Sequence, residues 1–517
     1  MPTAVPDDFL GHPKGLYVCF ATEMWERFSF YGMKALLIFY LTKYHLFSDS
    51  DGYLLLGTYG GLAYALPVVG GLIADRYLGM RKAVVFGAIL LCLGHFGMAF
   101  EGQQAQVIDD VVVRDAGALQ ALYLSLALII VGVGFLKPNI STIVGRLYAD
   151  RDPRRDAGFT VFYMGINVGA VAASLLCGWL GESFGWAYGF GAAGIGMLLG
   201  LAVFLGGQRH LHGCAEPADP ARLTVRVAGI SREAWIYGLA LLGVVGVWQV
   251  LQLRLEFLDA IELTATEFLA LLLASAVLAW FTWFSVAKLD RGERGRMWTL
   301  LILIAVSAVF WGIYEQSYIS WNTFADRVMN RDALGLTWNA SQLTFLGAFF
   351  VIVLSPLFAW LWPRLDRLGL NPSTPLKFAL ALILVGAAMG VMQYASLNPQ
   401  ANGMASIWMF VLAYFVLVCG EMLLSPIGLS AVTTLSVSRV VGLMMGVWFL
   451  ASAFGEMLAG RFATMAAMDT DAGTINDVGT ALGVYAQLFS TLLWIGVGCG
   501  ALMLLLTPLL NRMSRRD

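Results

Sequence analysis

The chain alternates long apolar segments with short polar ones along its whole length. A membrane-spanning helix needs about 20 mostly apolar residues, and fourteen segments of this kind can be counted. They lie near 15–43, 52–75, 82–100, 117–145, 157–181, 187–207, 234–253, 267–288, 297–322, 340–362, 375–396, 405–435, 440–467 and 481–508. The pattern predicts an all-α polytopic membrane protein with two six-helix bundles and two extra helices.

The grouping of these segments predicts three parts of the chain. An N-terminal six-helix bundle is expected over 1–207 and a C-terminal six-helix bundle over 297–517. A linker over 208–296 begins with the polar stretch 208–232 and holds the two extra transmembrane helices.

The distribution of Lys and Arg assigns each loop to one side of the membrane. Cytoplasmic loops of membrane proteins carry an excess of these residues. If the N-terminus is cytoplasmic, the inner loops and both tails hold 23 of the 32 Lys and Arg residues, the outer loops hold six, and three lie inside spans. A wrong number of helices would have removed this alternation between Lys- and Arg-rich inner loops and Lys- and Arg-poor outer loops. We therefore expect fourteen helices with both termini in the cytoplasm.

Composition excludes several classes of function. Apolar residues make up 59% of the chain and charged residues 13%, whereas soluble proteins carry about 25% charged residues. The net charge of −2 argues against a nucleic-acid partner, because no basic excess is left to neutralise phosphates. The six cysteines form no CxxC pair, so no metal site is suggested. We expect a lipid bilayer as the surroundings, and no enzyme activity, catalytic residue or metal.

Charged residues inside the spans are the main candidates for function. A charge at the centre of a membrane helix costs about 2.5–3.5 kcal/mol on insertion. The first span carries four charges and one tyrosine on a single face with i, i+3, i+4 spacing: Glu23, Glu26, Arg27, Tyr31 and Lys34. These charges must pair with one another or line a wet cavity. Glu456, near the outer end of its span, is interpreted instead as facing water.

One inner loop carries a motif of its own. Residues 70–82 read GGLIADRYLGMRK, which resembles the signature loop of the major facilitator superfamily and implies the fold of that superfamily. The glycines allow close helix approach, and Asp75 can accept charge-assisted hydrogen bonds at a neighbouring helix end. We expect Gly71, Asp75, Arg76 and Gly79 to act as a hinge in gating and not to touch substrate.

A motif in the first span points to a narrower family. Residues 23–32 read EMWERFSFYG, which resembles the ExxERFxYYG motif of the proton-coupled oligopeptide transporters. Further matches are FLKPN at 135–139, FTVFYMGINVGA at 159–170, FW at 310–311, EQ at 315–316, GE at 420–421 and SP at 425–426. The two extra helices are a feature of the prokaryotic members. The resemblance therefore implies a protein of the bacterial inner (cytoplasmic) membrane.

The resemblance implies a proton-coupled symporter that imports di- and tripeptides by alternating access, with substrate near the midplane between the halves. A peptide zwitterion needs a carboxylate at one end of its site and cations at the other. Glu421 is implied to receive the peptide amine. Arg27, Lys34 and Lys137 are implied to lie towards the peptide carboxylate. The other implied peptide-binding residues are Tyr31, Tyr64, Asn167, Trp311, Glu315, Trp448 and Ser452.

Proton coupling is implied for an overlapping set: Glu23, Glu26, Arg27, Lys137 and Glu315. A carboxylate that exchanges a cationic partner for a dry environment takes up a proton. Lys34 and Glu315 are implied to form a second breakable pair during gating. Which Glu carries the proton stays open. The proton is the coupling ion, and no cofactor is expected. We expect a functional monomer, although the sequence does not fix the oligomeric state.

Two other functions stay open at this point. Relatives in the wider family carry nitrate, modified peptides or other small solutes, although Glu421 would repel a simple anion. A non-transporting membrane sensor is the other alternative, but it would usually carry a soluble output domain, which the sequence does not show. Phe30 and Lys34 stand where the family motif has a Tyr and often an Arg, so the preference for peptide side chains and length is left undetermined.

Overall fold

The described part of the chain consists almost entirely of long helices. The computed structural model describes residues 8–149, 152–217, 219–254, 256–259, 261–470 and 473–514. The two chain ends, to which the cytoplasmic assignment refers, lie outside the described residues. So do three of the cations counted for the inner loops and tails, namely Arg151, Arg515 and Arg516.

Fourteen long helices follow one another along the described residues. The first six are α1 (Lys14–Phe39), α2 (Asp49–Ile73), α3 (Met80–Met98), α4 (Ala116–Arg146), α5 (Arg155–Phe184) and α6 (Trp186–Gly207). The middle pair is α7 (Arg232–Val250) and α8 (Ala265–Lys288). The last six are α9 (Arg291–Tyr314), α10 (Phe345–Arg367), α11 (Thr374–Leu397), α12 (Ile407–Leu435), α13 (Val441–Ala463) and α14 (Val478–Met513).

Thirteen of the described helices, all but α1, are long and apolar enough to cross a membrane. Helix α1 has 26 residues, which is also long enough, and differs from the others by its several charged side chains. The predicted all-α membrane protein with fourteen spans is confirmed.

Shorter elements connect these helices. The described residues include short α-helices at Ala221–Thr224, Glu256–Asp259 and Ser320–Arg327, and π-helical turns at Tyr40–Tyr44 and Ala74–Leu78. They also include 3₁₀ turns at Gln208–Leu211, Glu315–Tyr318, Ser341–Thr344, Ser438–Val440 and Thr464–Ala466. Antiparallel strand pairs join Asp8–Phe9 to His12–Pro13, Gln106–Ile108 to Val111–Val113, Arg226–Val227 to Ile230–Ser231, and Asp332–Ala333 to Leu336–Thr337. Met329–Asn330 pairs in parallel with Ala405–Ser406.

Several helices begin at a side chain that caps their free N–H groups. The Asp115 carboxylate accepts hydrogen bonds from the N–H groups of Gly117 and Ala118 at the start of α4. Thr264 and Glu267 form a reciprocal capping box at the start of α8. Such caps contribute about 1 kcal/mol each. These caps determine the residues at which α4 and α8 begin.

The predicted continuous span 297–322 is interrupted in the structure. Helix α9 ends at Tyr314, a 3₁₀ turn follows, and a short helix resumes at Ser320. The Gln316 side chain donates to the carbonyls of Gly312 at 3.2 Å and Ala459 at 2.9 Å, and its oxygen accepts from the Ser320 hydroxyl at 2.7 Å. These bonds satisfy polar groups around the break. Hydrophobicity alone could not reveal them.

Contacts between residues divide the chain into two compact units. Unit 1 contains 1–40, 62–252 and 341–348, and unit 2 contains 41–61, 253–340 and 349–517. Helix α7 thus belongs to unit 1 and α8 to unit 2. Within unit 1, α3 packs on α4 and α1 packs on α5; within unit 2, α11 packs on α14. The three-part division at 207 and 296 stays a prediction.

Helix crossings in unit 2 depend on small residues. Where α11 crosses α14, a Cβ added to Gly496 would lie 2.7 Å from the Cα of Gly386. No side chain fits at that separation, so glycine at this crossing permits backbone contact. Close approach through small residues is a common way for membrane helices to associate, because lipid gives no hydrophobic drive between them.

A buried ion pair fixes the start of α2 within unit 2. Arg327 donates two hydrogen bonds to the Asp49 carboxylate, at 2.6 and 2.7 Å, and a third to the carbonyl of Gly473 at 3.0 Å. The Met468 N–H also donates to Asp49. The two charged side chains are 0% and 2% exposed. The sequence placed Arg327 only among the outer-loop cations and did not predict this pair.

We predict that Asp49→Asn will lower the thermal stability of the purified protein. The substitution leaves the Arg327 guanidinium buried without its opposite charge, which costs about 3–5 kcal/mol. Asp51→Asn is the matched control, because Asp51 pairs with Arg254 at a similar 2.9 Å but the two side chains are 41% and 76% exposed. An exposed pair contributes about 1 kcal/mol or less. Equal melting temperatures for the two variants would contradict the prediction.

Candidate functional site

The charged face of α1 forms a compact buried cluster in unit 1. Glu26, Arg27 and Glu23 are 0%, 2% and 3% exposed. The Arg27 guanidinium donates to both carboxylate oxygens of Glu26, with NH2 2.6 Å from Oε1. Its Nε lies 3.5 Å from Glu23 Oε1. One guanidinium therefore pairs with two carboxylates, as expected for charges on one face of the first span.

Aromatic rings and a second cation complete this cluster. The Arg27 guanidinium lies 4.9 Å from the ring centre of Phe30 and 5.8 Å from that of Tyr31. The Lys137 ammonium lies 4.1 Å from the ring centre of Tyr64, and Lys137 is close enough to Glu23 to interact with it electrostatically. Such cation–π contacts hold a cation in place without neutralising it. Lys137 is thus positioned near Glu23 in this cluster.

The other predicted residues of unit 1 lie on α1 and α5. Lys34, on α1, is only 2% exposed. Asn167 is also buried, and its side-chain amide donates to the carbonyl of Tyr163 one turn earlier in α5, at 3.1 Å. This bond uses one of the two amide N–H groups, and the second can serve another acceptor.

The acidic residues of unit 2 surround the end of α9. Glu421, on α12, is 8% exposed and accepts a hydrogen bond of 2.7 Å from the Tyr314 hydroxyl. Glu315 is 6% exposed and begins the 3₁₀ turn that interrupts this span. The interruption is therefore next to both acids. The sequence did not predict Tyr314 as the donor to Glu421, because the two residues lie 107 positions apart.

Aromatic residues lie beside these acids in unit 2. The Trp311 ring packs edge-on against Tyr314 at 5.2 Å. Trp448 is buried and packs edge-on against Phe378 at 6.4 Å. Ser452 follows Trp448 by one turn of α13 and is half-buried. Trp311 is thus in contact with the Tyr314–Glu421 pair through Tyr314.

The motif loop between α2 and α3 differs in part from its interpretation. Gly79 has φ of +76°, and a Cβ there would lie 2.5 Å from the backbone nitrogen of Pro217, so the turn requires glycine. Gly71 lies on α2 opposite Pro138, which its Cβ would contact at 3.4 Å. Asp75 and Arg76 are exposed. Among the described residues, Asp75 makes no hydrogen bond or ion pair, so the expected bonds to a helix end are not observed.

One sequence interpretation is wrong. Glu456 is 2% exposed and does not face water. Its side chain lies against Gly60 of α2, and its backbone carbonyl would lie 2.9 Å from a Cβ on Gly57. Both glycines make room for α13, and this close packing excludes water from Glu456. The residue adds a further buried acid to unit 2.

The two sets of residues have different chemical capacities. The α1 cluster holds two carboxylates and one guanidinium, so one negative charge remains for Lys137 or a proton to compensate. Glu421 has a neutral hydroxyl as its partner, which leaves its charge available for a cationic ligand. The cations lie in unit 1, and the acid with a neutral partner lies in unit 2. No group of three or more His, Cys, Asp or Glu residues that could hold a metal occurs in the described ranges.

Comparisons with known proteins identify the family of the chain. The PTR2 sequence model of the POT family matches residues 81–480. A peptide transporter of Yersinia enterocolitica subsp. palearctica is 34% identical over 467 residues, covering 87% of this chain and 88% of the relative. Dipeptide and tripeptide permease A of Cronobacter turicensis is 30% identical over 516 residues, covering 98% and 94%.

A solved structure of another protein is similar to nearly the whole of this chain. It is a crystal structure of a mutant of the peptide transporter POT in complex with alafosfalin. The match has a TM-score of 0.82 and 31% identity, and covers 99% of this chain and 98% of that chain. The family model spans more than half of the chain, and the resemblance noted in the first span is confirmed. The chain belongs to the POT family, the proton-coupled oligopeptide transporters of the major facilitator fold.

Proposed function

We propose that the protein is a proton-coupled symporter that imports di- and tripeptides by alternating access. The relatives and the solved structure described above are peptide transporters, and this supports the substrate class. The observation that carries the proposal is the Glu23–Glu26–Arg27 cluster. A symporter needs a group that can hold and release a proton away from water, and two carboxylates sharing one guanidinium supply it.

We further propose where the protein acts and how its chain is divided. It would lie in the bacterial inner membrane with both termini in the cytoplasm, act as a monomer and need no cofactor besides the proton. The excess of Lys and Arg in the assigned inner loops supports this orientation. The proposed parts are the bundles 1–207 and 297–517 and the linker 208–296.

The proposed substrate is recognised through its two terminal charges. Glu421 would receive the peptide amine, because its carboxylate is held by a neutral Tyr314 hydroxyl and not by a cation. Arg27, Lys34 and Lys137 would lie towards the peptide carboxylate. The other residues proposed to contact the peptide are Tyr31, Tyr64, Asn167, Trp311, Glu315, Trp448 and Ser452.

The proposed coupling uses exchange of partners within the α1 cluster. When Arg27 or Lys137 leaves a buried carboxylate, that carboxylate gains stability by taking up a proton. When the pairs form again, the proton is released. Glu315 and Lys34 are proposed to form a breakable pair during gating, and Gly71, Asp75, Arg76 and Gly79 to act as a hinge in the motif loop. The positive φ of Gly79 requires glycine at this turn.

We expect uptake of labelled dialanine into proteoliposomes to follow an inward proton gradient and an inside-negative potential. A neutral zwitterion carried with one proton moves one net charge, and 100 mV is worth about 2.3 kcal/mol per charge. This corresponds to roughly fiftyfold accumulation. A protonophore should abolish the accumulation, and liposomes without protein give the background. Accumulation that survives the protonophore, or that requires sodium, would refute proton symport.

We expect Glu421→Gln to weaken dipeptide binding at least tenfold, because breaking one desolvated charge pair costs about 2–5 kcal/mol. An analogue without the amino group should lose far less affinity, since it never used the carboxylate. Binding of both ligands can be measured by competition against labelled dialanine.

Tyr314→Phe is the matched control for this substitution. It removes the hydroxyl that donates to Glu421 but keeps the carboxylate and the ring. The preference for the dipeptide over the analogue should therefore persist. Equal losses for both ligands in Glu421→Gln would show that this residue does not bind the amine.

We expect Glu26→Gln, and also Glu23→Gln, to abolish gradient-driven uptake but to spare counterflow. A glutamine keeps the size of the side chain but cannot release a proton, so it resembles a permanently neutral carboxyl. Exchange of labelled for unlabelled peptide needs no net proton transfer and should continue. Return of the empty carrier should fail, because the pair with Arg27 cannot re-form.

Folding must be checked in parallel, because Arg27 loses one of two bonds to residue 26 and keeps Glu23 as its charged partner at 3.5 Å, which weakens a buried ion pair. A monodisperse chromatographic profile and an unchanged melting temperature meet this need. If a well-folded Glu26→Gln still accumulates dialanine against its gradient, the α1 carboxylates are structural. Glu315→Gln would then be the next substitution to assay.

A further inference from the structure

A groove of about 450 Å³ lies in unit 1 beside α3, the end of α6 and the start of α7. The transport proposal does not use it. Its polar lining consists of Arg81, Lys82, Gln208, Glu233 and Tyr237, and its apolar lining of Val85, Phe86, Ile89 and Leu205. Helix α7, one of the two extra helices, thus supplies part of its wall.

Polar and apolar residues occupy different levels of this groove. Arg81 and Lys82 lie in the first turn of α3, and Ile89 lies eight residues further on, which is about 12 Å along the helix. Gln208 directly follows α6, and Glu233 lies in the first turn of α7. The charged groups are therefore at the helix ends, and the apolar side chains lie towards the helix centres. Ile89 is 43% exposed, so the apolar end opens towards lipid.

This layering matches the profile of a phospholipid. Helix ends in a membrane protein lie at the level of the headgroups, and the next two turns lie at the level of the acyl chains. A water-soluble ligand would not need an apolar wall that is open to the hydrocarbon. A lipid without a charged headgroup would not need the cluster of ionic groups.

The charges of the groove are balanced. Lys82 Nζ donates to Glu233 Oε1 at 2.6 Å, and the Tyr237 hydroxyl donates to the same oxygen at 3.3 Å. Arg81 pairs with Glu216, its NH2 lying 3.2 Å from Oε2. Two cations thus face two carboxylates. A headgroup with only negative charge would meet the repulsion of these carboxylates, whereas one with both signs can bind the two cations and Glu233 together.

The existing contacts leave hydrogen-bonding capacity for such a headgroup. An ammonium group has three N–H donors, and Lys82 uses one of them on Glu233. Within the described ranges no protein group donates to Glu233 Oε2. The side chains of Lys82 and Glu233 are 27% and 29% exposed, and both line the groove. A ligand in the groove can therefore reach the remaining N–H donors of Lys82 and the Oε2 atom of Glu233.

We propose that this groove is a binding site for a zwitterionic aminophospholipid of the phosphatidylethanolamine type. The phosphate accepts hydrogen bonds from Lys82 and Arg81, the primary ammonium donates to Glu233, and one acyl chain runs along Phe86 and Ile89. Under the proposed orientation the lipid belongs to the cytoplasmic leaflet. The site depends on the membrane location of the chain and not on its substrate, so it is testable without any transport measurement.

The test is lipid binding to the delipidated full-length protein in detergent, followed by native mass spectrometry. Phosphatidylethanolamine, phosphatidylcholine and phosphatidylglycerol with identical acyl chains are titrated separately. We expect phosphatidylethanolamine to bind about tenfold more tightly than phosphatidylcholine, whose quaternary ammonium has no N–H to donate to Glu233. Phosphatidylglycerol should also bind more weakly, because it lacks the ammonium. Equal binding of the three lipids, or preference for phosphatidylglycerol, would overturn the proposal.

Three variants locate the binding. Glu233→Gln and Lys82→Ala should each weaken phosphatidylethanolamine binding about tenfold. Ile89→Trp keeps every charge and fills the apolar end, so it should weaken binding as well. The matched control is Glu293→Gln, which breaks the exposed Arg439–Glu293 pair of 3.1 Å in unit 2 and should leave binding unchanged. Unchanged binding in the first two variants, or an equal loss in the control, would show that the lipid does not bind in this groove. An unchanged melting temperature excludes misfolding as the cause.

Discussion

A charged side chain that is buried away from water needs an opposite charge, a strong hydrogen bond or a proton, because no solvent stabilises its charge. This constraint accounts for the polar architecture of the protein. Arg27 pairs with two carboxylates on α1, Tyr314 donates a hydrogen bond to Glu421, and Arg327 pairs with Asp49. The charge balance differs among these three interactions. In the first, two carboxylates share one guanidinium and a second cation, Lys137, lies near Glu23. The second leaves an acid with a neutral partner, and the third is balanced by one charge of each sign.

Under the proposed function, this difference separates structural pairs from functional ones. The Asp49–Arg327 pair has two direct bonds and additional backbone partners from Gly473 and Met468, so neither charge gains from a change of partner. The α1 cluster cannot satisfy both of its carboxylates with Arg27 alone. Under the proposed coupling, the two carboxylates that share Arg27 would exchange a proton as the position of Arg27 or Lys137 changes. The Asp49–Arg327 pair, which is fully neutralised, would contribute to stability instead.

Much of the fold was predictable, because a helix that crosses the lipid bilayer needs an apolar segment of about 20 residues. The fourteen spans and the charged face of α1 followed from this pattern. The interruption after Tyr314 did not, since it depends on bonds from Gln316 to a carbonyl 143 residues away. Likewise, Asp49 and Arg327 are 278 positions apart, and Tyr314 and Glu421 are 107 apart. Hydrophobicity shows that polar residues in spans need partners, but not which residues become those partners.

The interleaved composition of the two units has a consequence for the integrity of the molecule. A backbone cut between residues 252 and 253 would yield two fragments, each of which supplies a segment to the unit built mainly by the other. Residues 41–61 of the first fragment belong to unit 2, held there by Asp49 and Arg327, and residues 341–348 of the second belong to unit 1. In the latter, the Ser341 N–H donates to Glu182 at 2.8 Å and the Thr344 hydroxyl to Ser174 at 2.8 Å. Each fragment would therefore lack one segment of the unit that it mainly builds, so neither fragment alone would hold all the packing contacts of its unit.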